Sequence, residues 1–347
     1  MAEVGIDWLG TALPIIQAPM AGAHGSALAL AVSNTGALGS LPCAMLSPDG
    51  IRDELNLIRA GTSSPYNVNF FCHAPPAANA DQDARWRAAL APYYRELGVE
   101  LEAAAAGPVR APFTHDAADA LEPFAPPVVS FHFGLPAPEL LARVRAWGTR
   151  VIASATTLDE AVWLEARGVD AIIAQGLEAG GHRGHFLSND LTLQMGTFAL
   201  VPQVVRAVGV PVIAAGGLAD ARGVAAAIRL GASAVQVGTA YLLCPETTTS
   251  EVSRAALASD GARHTALTNL FSGRPARGIV NRLMRELGPL SDLAPEFPLA
   301  TAAVAPLRRA AETLGRVDFS PLWAGQNATG CRAAPAAEIT RDLAANL

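Results

Sequence analysis

The sequence predicts an α/β fold, a TIM (β/α)8 barrel with a helical insertion after the eighth strand. Two observations carry this prediction. Short apolar runs alternate with alanine-rich helical stretches, and polar or glycine residues recur where the apolar runs end. The active sites of such barrels gather at the carboxyl ends of the strands, so the second observation also predicts where the chemistry lies.

Eight apolar runs are predicted strands because each is short and bounded by turn residues, namely residues 14–18, 36–41, 67–71, 127–131, 150–154, 170–174, 211–215 and 234–237. Helical periodicity between and beyond them predicts helices at residues 26–33, 47–60, 82–97, 138–147, 158–166, 193–208 and 220–230. Asp220 is a natural N-cap for the last helix, and Gly231 lies where a C-terminal glycine is expected.

The chain is divided into three predicted parts. Residues 1–243 form the barrel, and residues 244–318 are too long for one crossover helix and are predicted to cover the barrel mouth as a helical insertion. Residues 319–347 are predicted to return to the barrel. The length of 347 residues suits this arrangement but does not require it.

Composition excludes several classes of protein. The chain contains no lysine, which excludes Schiff-base aldolases, pyridoxal-phosphate enzymes and Walker-type ATPases. A net charge of −6 and the lack of a basic block argue against nucleic acid or an anionic membrane as partner. The four cysteines form no C-x-x-C pair, so neither a disulfide framework nor a metal site is predicted.

The N-terminal residues and the hydropathy pattern predict a cytoplasmic protein. Residues 1–7 carry acidic side chains where a signal peptide would be positively charged. No apolar run reaches the ~18 residues of a membrane span. The oligomeric state is left open by the sequence.

The loop at residues 174–184, with the sequence AQGLEAGGHRG, is the most informative segment. It follows an apolar run and contains four glycines, which predicts close approach of its backbone to an anion or a ring. His182 lies at its mouth, where a group that titrates near neutral pH can act as an acid or base. We therefore predict His182 as a catalytic residue.

Two further glycine loops predict a phosphate site. Gly216-Gly217 follows the seventh predicted strand and Gly238-Thr239 follows the eighth, where TIM barrels commonly hold phosphate. No G-x-G occurs, so a Rossmann dinucleotide site is not predicted. Together with the strand-end amides Asn69 and Gln175, these loops suit flavin mononucleotide, because amides can bond the pyrimidine edge of the flavin.

Several segments resemble the nitronate monooxygenase family, of the class I type, formerly called 2-nitropropane dioxygenases. They cover nearly the whole chain and are residues 14–22 (PIIQAPMAG), 67–73 (NVNFFCH), 130–134 (SFHFG), 176–184, 214–217, 236–240, 268–278 and 322–326. The segment EAGGH alone is shared with flavin-dependent enoyl-carrier-protein reductases. Residues 67–73 and 130–134 favour the monooxygenases.

The resemblance implies an FMN-dependent oxidation of alkyl nitronates by O2 to a carbonyl compound and nitrite, through a flavosemiquinone. It places the family's active-site histidine at His182, and His132 is expected as a second polar contact near the substrate. Flavin contacts are implied at Asn69, Gln175, Gly180, Gly217, Gln236, Val237, Gly238 and Thr239. Propionate-3-nitronate is a candidate substrate, whose carboxylate would meet an arginine that the sequence does not identify.

Two alternative functions stay open from the sequence. The first is an NAD(P)H-dependent flavin reductase of enoyl thioesters or quinones, and the second is a non-catalytic flavin- or phosphate-binding barrel. Among single residues, His185 is expected to be solvent-exposed, and Glu178 is expected to hold its own loop through backbone N–H groups. For Arg274 and Arg277, phosphate binding and surface pairing are equally favoured.

Overall fold

A computed structural model describes residues 8–77, 79–100 and 110–347; the N-terminal residues 1–7, on which the signal-peptide argument rests, lie outside the described part. The described residues form eleven strands, β1 Ile15–Gln17, β2 Gly39–Pro42, β3 Tyr66–Phe71, β4 Val128–His132, β5 Arg150–Ala155, β6 Ala171–Gln175, β7 Gly181–His182, β8 Val212–Ala215, β9 Ala234–Val237, β10 Thr265–Thr268 and β11 Ala276–Ile279. Eight of them make a parallel sheet in the order β1-β9-β8-β6-β5-β4-β3-β2.

The two ends of this sheet meet, so it closes into a barrel and the predicted TIM fold is confirmed. Ile16 pairs in parallel with Leu38, immediately before β2. The N–H of Leu38 donates to the carbonyl of Ile15, and the N–H of Gln17 donates to the carbonyl of Leu38, each at 2.9 Å. All eight predicted strands are present, with bounds that shift by at most a few residues.

The described residues also form twelve helices, α1 Ser26–Ser33, α2 Pro48–Gly61, α3 Ala80–Leu97, α4 His115–Leu121, α5 Pro138–Ala146, α6 Leu158–Glu165, α7 Thr197–Ala207, α8 Ala221–Arg229, α9 Glu251–Ala258, α10 Arg282–Leu287, α11 Ala300–Thr313 and α12 Ala336–Ala344. Asp220 caps α8 by accepting a bond from the N–H of Gly223 at 2.8 Å. Gly231 ends the same helix with a φ of +101°, as the sequence predicted.

Helix α3, expected as the crossover between β3 and β4, does not take that place. The short helix α4, capped by Thr114, packs between α2 and α5 in the outer ring instead. Helix α3 lies against α11, where the Tyr94 hydroxyl donates to the carbonyl of Ala303 at 2.6 Å. The two helices share a second hydrophobic core that includes Trp86 and Phe319.

Residues 244–318 contain two strands as well as the expected helices. Strands β10 and β11 are antiparallel, and β11 also pairs with the two-residue strand β7. In that register Ala276 lies opposite His182 and Arg277 opposite Gly181. The pairing fixes the segment after the eighth barrel strand directly onto the glycine-rich loop.

The C-terminal helix α12 packs against α1 and α8 on the outside of the barrel. Helix α12 also contacts the segment that follows β9, where the hydroxyls of Tyr241 and Thr340 form a buried hydrogen bond of 2.9 Å. Helix α12 therefore fills the position that a crossover helix after β9 would otherwise occupy. Within the described ranges, none of the helices combines the length and apolarity needed to cross a bilayer.

Candidate active site

One cavity of about 320 Å³ opens at the carboxyl ends of the barrel strands. All ten predicted site residues line it, although they come from five separate segments of the chain. They are Asn69, His132, Gln175, Gly180, His182, Gly217, Gln236, Val237, Gly238 and Thr239. The barrel brings these residues together because its parallel strands all end at the same rim.

His182 lies half-buried on the cavity wall within a group of aromatic side chains. Its ring centroid is 5.2 Å from that of Phe297, 5.5 Å from Trp323, 6.1 Å from Phe133 and 6.2 Å from Phe71. This desolvation, together with the positive charge of Arg110, lowers the pKa of His182 well below its usual value. The imidazole is therefore neutral at pH 7.

One nitrogen of the His182 ring is already engaged. Nε2 lies 2.9 Å from the hydroxyl of Ser272, a fully buried residue in the turn between β10 and β11. That hydroxyl also lies 3.4 Å from the carbonyl of Arg274. In the described part of the chain no hydrogen bond involves Nδ1 of His182, so Nδ1 is the ring atom left for a substrate.

His132 supports His182 through the backbone. Its Nε2 lies 3.2 Å from the carbonyl of His182, and its Nδ1 lies 3.0 Å from the hydroxyl of Ser154. A carbonyl can only accept, so Nε2 carries the proton and Nδ1 accepts from Ser154. Burial lowers the pKa of His132 to about 3, which keeps this arrangement neutral.

The side-chain amide of Gln175 forms hydrogen bonds with the backbone of the loop that carries His182. Its Nε2 donates to the carbonyl of His182 at 3.0 Å, and its Oε1 accepts from the N–H of Gly184 at 2.8 Å. The carbonyl of His182 thus accepts from both Gln175 and His132. These bonds fix the backbone of β7 beneath the ring of His182.

Arg183 and Glu178 fix the remainder of the loop. The fully buried guanidinium of Arg183 donates to the carbonyls of Gln175 and Gly176 and to the Gln194 amide oxygen, each at 2.7 Å. Glu178 accepts from the N–H of Thr197 at 2.8 and 3.0 Å, a bond that begins helix α7. The expectation that Glu178 holds its loop through backbone N–H groups is confirmed. It also explains why α7 begins at Thr197 and not at residue 193.

Most glycines of this loop are needed because neighbouring protein atoms leave no room for a Cβ, a reason that the sequence did not indicate. A Cβ on Gly176 would lie 2.0 Å from the Thr197 hydroxyl, and one on Gly180 would lie 2.6 Å from the carbonyl carbon of Ala324. A Cβ on Gly184 would lie 2.7 Å from the His132 ring. Only Gly181, with a φ of +72°, has open space at that point. The loop is glycine-rich chiefly because it packs tightly on its neighbours.

The two predicted anion-binding loops lie on the cavity wall, one after β8 and one after β9. Gly217 has a φ of +72°, and a 3-10 helix begins at Thr239 directly after Gly238. The Gly217 carbonyl accepts from the Asn327 amide at 3.1 Å, and the Thr239 hydroxyl accepts from the N–H of Gly325 at 2.9 Å. Residues 325–327 of the C-terminal segment therefore hold both loops in place.

Two buried polar atoms of residues that line this cavity have no hydrogen-bond partner among the described residues. They are Oε1 of Gln236 and Oγ1 of Thr249. A buried unsatisfied oxygen is costly, so such atoms indicate positions for a hydrogen-bonding ligand. The amides, glycine loops and unsatisfied oxygens together form a donor and acceptor set that suits a phosphorylated flavin.

The structure also defines the surroundings of four other polar residues, and for His185 the expectation is wrong. Gln17 does not line the cavity; it is fully buried, and its Oε1 accepts from the N–H of Ser40 at 3.0 Å. His185 is buried and not solvent-exposed, because the loop folds it inward beside Arg274. Neither arginine pairs on the surface: Arg277 donates to the carbonyl of Leu177 at 2.8 Å, and Arg274 stacks 4.1 Å from the Phe133 ring.

Sequence reasoning missed four residues near His182, namely Ser154, Ser272, Phe297 and Arg110. Each lies in a different segment of the chain, and only the tertiary fold brings it to the site. Ser272 is within a quoted family segment, but nothing in its spacing connects it with His182. An arginine whose charge acts on His182 and His73 through the tertiary fold leaves no periodic signal in the sequence.

A closed parallel barrel whose rim joins two glycine loops to an enclosed, neutral histidine is the arrangement expected of a TIM-barrel enzyme. The family model described as nitronate monooxygenase matches residues 3–346. The chain belongs to the nitronate monooxygenase family, whose members are flavin-dependent oxidoreductases.

Individual relatives agree with this assignment. A nitronate monooxygenase from Paraburkholderia phytofirmans is 44% identical over 340 residues, which cover 96% of this chain and 92% of the relative. The solved nitroalkane oxidase from Streptomyces ansochromogenes superposes with a TM-score of 0.89 at 38% identity, covering 97% of this chain and 96% of that one. FabK from Thermotoga maritima superposes with a TM-score of 0.73 at 29% identity, covering 98% and 94%.

Proposed function

We propose that the protein uses FMN to oxidise alkyl nitronates with O2, giving a carbonyl compound and nitrite. The observation that carries the proposal is the single cavity that joins both glycine loops to His182. Family membership and the likeness to the nitroalkane oxidase support the class of reaction.

The residues that line the cavity would bind the cofactor in one part of it and the substrate in another. Gly217, Gly238 and Thr239 would hold the phosphate of the cofactor, and Asn69 and Gln236 would bond its ring edge. FMN supplies the oxidation of the nitronate and the transfer of electrons to O2 when it is bound. Gln175, whose amide bonds the loop through one N–H and one lone pair, has a second N–H for the flavin.

His182 would bind the substrate through Nδ1, the nitrogen that Ser272 does not engage. A neutral imidazole with a protonated Nδ1 donates to an oxygen of the anionic nitronate. With a neutral nitroalkane, an unprotonated Nδ1 accepts the α-proton. The aromatic residues Phe71, Phe133, Phe297 and Trp323 exclude water from this ring.

The overall reaction needs no nicotinamide cofactor. Two nitronates and one O2 give two carbonyl compounds and two nitrite ions, and this equation balances in atoms and electrons without a further reductant. The competing function, an NAD(P)H-dependent flavin reductase, must instead accept a hydride. The similarity to FabK keeps this alternative open, although its TM-score of 0.73 is lower than the 0.89 of the nitroalkane oxidase.

An anaerobic titration of the purified, flavin-loaded protein separates the two functions. One sample receives ethyl nitronate and another receives NADH, and the flavin absorbance is followed in both. We expect the nitronate to reduce the flavin and NADH to leave it oxidised. Bleaching by NADH with no response to nitronate would transfer the protein to the reductases. A protein that takes up no FMN would refute both functions.

A further inference from the structure

Residues 325–331, which we call the clamp segment, lie across three of the loops that line the cavity. The N–H of Gln326 donates to the carbonyl of Glu178 at 2.9 Å, in the loop after β6. The side-chain amide of Asn327 donates to the carbonyl of Gly217 at 3.1 Å, in the loop after β8. The clamp segment therefore joins the loop that precedes β7 to the first of the two glycine loops.

The clamp segment contacts the second glycine loop, after β9, at two points. The N–H of Gly325 donates to the hydroxyl of Thr239 at 2.9 Å, and the thiol of Cys331 donates to the carbonyl of Thr239 at 2.7 Å. The packing is close, because a Cβ on Gly330 would lie 2.1 Å from the carbonyl oxygen of Ala219. The clamp segment thus links the backbones of both glycine loops to each other.

The two glycine loops present backbone N–H groups that the protein leaves unused. Among the described residues, no hydrogen bond involves the N–H of Gly217 or that of Gly238, and both residues line the cavity. Strands β8 and β9 are neighbours in which Ala215 lies opposite Gln236, so Gly217 and Gly238 each follow two residues further along the rim. Because these donors belong to separate loops, the relative position of the loops decides whether one anion can bind to both.

Asn327 holds the loop after β8 by its carbonyl and leaves the N–H groups of that loop free. The amide orientation is fixed, since Oδ1 of Asn327 accepts from the hydroxyl of Thr329 at 2.6 Å and from its N–H at 3.2 Å. Nδ2 is therefore the atom that faces the carbonyl of Gly217. Asn327 is half-buried and lines the cavity, but it belongs to none of the glycine loops.

We propose that Asn327 is a positioning residue for the cofactor, because it holds the loop after β8 where its N–H groups and those of the loop after β9 bind one phosphate group. A loop that is already ordered loses less conformational entropy when its ligand binds. The clamp segment thereby increases the preference of the protein for a flavin that has a phosphate over one that lacks it. This inference rests on the proposed function, because it concerns the FMN site that this function requires.

The test measures the affinity of the flavin-free protein for FMN and for riboflavin, which has the same ring but no phosphate. Flavin fluorescence is titrated with wild type, Asn327→Ala and Cys331→Ala. Gln326→Ala is the matched control, because the Gln326 side chain is exposed and the backbone N–H that bonds Glu178 is kept. We expect Asn327→Ala to lower the preference for FMN, as a ratio of dissociation constants, about tenfold. Cys331→Ala should lower it less, because a thiol is a weak donor, and Gln326→Ala should not change it.

An equal loss of affinity for both flavins in Asn327→Ala would overturn the inference, because Asn327 would then support the fold or the ring of the flavin. An unchanged preference for FMN would overturn it as well. Failure of the proposed function gives different results. If wild type binds FMN no more tightly than riboflavin, the assignment of FMN fails and the inference fails with it. If Asn327→Ala loses the preference but wild type oxidises no nitronate, the inference is supported and only the proposed reaction is refuted.

Discussion

The hydroxyl of Ser272 lies 2.9 Å from Nε2 of His182, although the two residues are ninety positions apart in the chain. The pairing of β11 with β7 creates this contact, because it places Ala276 opposite His182 and carries the preceding turn over the ring. Ser272 fixes the orientation of the imidazole and leaves Nδ1, the nitrogen proposed to bind the substrate, without a hydrogen bond to the described residues. It is a positioning residue, since the contact acts through His182.

Replacing Ser272 by alanine should weaken catalysis without removing the flavin. The ring of His182 would lose its one side-chain hydrogen bond, so we expect kcat/KM for ethyl nitronate to fall about tenfold. Flavin content, measured from the absorbance of the purified protein, should not change. Ser63→Ala, at an exposed position, is the control. An unchanged kcat/KM in Ser272→Ala would show that the aromatic residues alone orient the ring.

Replacing His182 by asparagine should abolish most nitronate oxidation. The variant keeps a hydrogen-bonding side chain but loses the imidazole, and such a loss typically costs ~10²-fold or more in rate. Nitrite release is the assay, and FMN should be retained. His264→Asn, an exposed histidine, is the matched control. Unchanged turnover in His182→Asn would refute the catalytic assignment of His182.

Replacing His132 by glutamine tests whether His132 titrates during turnover. Because burial lowers the pKa of His132 to about 3, the residue is neutral throughout the pH range of a normal assay. We expect a lower kcat, since glutamine can replace Nε2 as the donor to the carbonyl of His182 but not Nδ1 as the acceptor for Ser154. The pH–rate profile between about pH 5 and about pH 8 should keep the wild-type shape. An apparent pKa that disappears in His132→Gln would instead show that His132 exchanges protons with the substrate.

Acid should destabilise the protein through its buried histidines. Burial lowers the pKa of His24 to about 4 and that of His185 to about 3. Between these values and the ~6.5 of an unfolded chain, only the unfolded state binds the proton. The free energy of unfolding should therefore fall as the pH falls below about 6.5, by up to ~1.4 kcal/mol per pH unit for each such histidine.

The variant His185→Gln should reduce this pH dependence. Urea denaturation at about pH 7 and about pH 5 would give the loss of unfolding free energy on acidification, and the variant should lose up to ~2 kcal/mol less than wild type. An identical loss in both proteins would show that His185 is protonated in the folded state.

Adding one methyl group at Gly184 should disturb the site. The Cβ of an alanine there would lie 2.7 Å from the Cε1 atom of His132, so the ring must move and its bond to the carbonyl of His182 must lengthen. We expect lower kcat and a destabilisation of ~1–3 kcal/mol in Gly184→Ala. Thermal unfolding and nitrite release measure the two effects.

The control for Gly184→Ala is Gly50→Ala in helix α2. A Cβ at Gly50 has its nearest neighbour at 3.4 Å, an ordinary contact, so the substitution should be neutral or stabilise the helix. Wild-type activity and stability in Gly184→Ala would contradict the packing that we describe for this loop.

The sequence by itself determined the barrel and the rim positions of the site. Strand and helix signals depend on a few neighbouring residues, so the runs ending at Gln175 and Val237 could be identified without knowing their partners. The carboxyl ends of parallel strands share one rim, so Asn69, Gln175 and Gly217 could also be placed together before the structure was known.

The tertiary structure alone decided what surrounds His182. Ser272, Phe297 and Arg110 reach it from segments far apart in the chain, and no local pattern encodes contacts of that length. The same holds for helix α4, which lies in the outer ring where α3 was expected, while α3 packs its apolar residues against α11. The local sequence determines which helices and strands form. Burial of apolar area and closure of the barrel determine which of these helices and strands pack against one another.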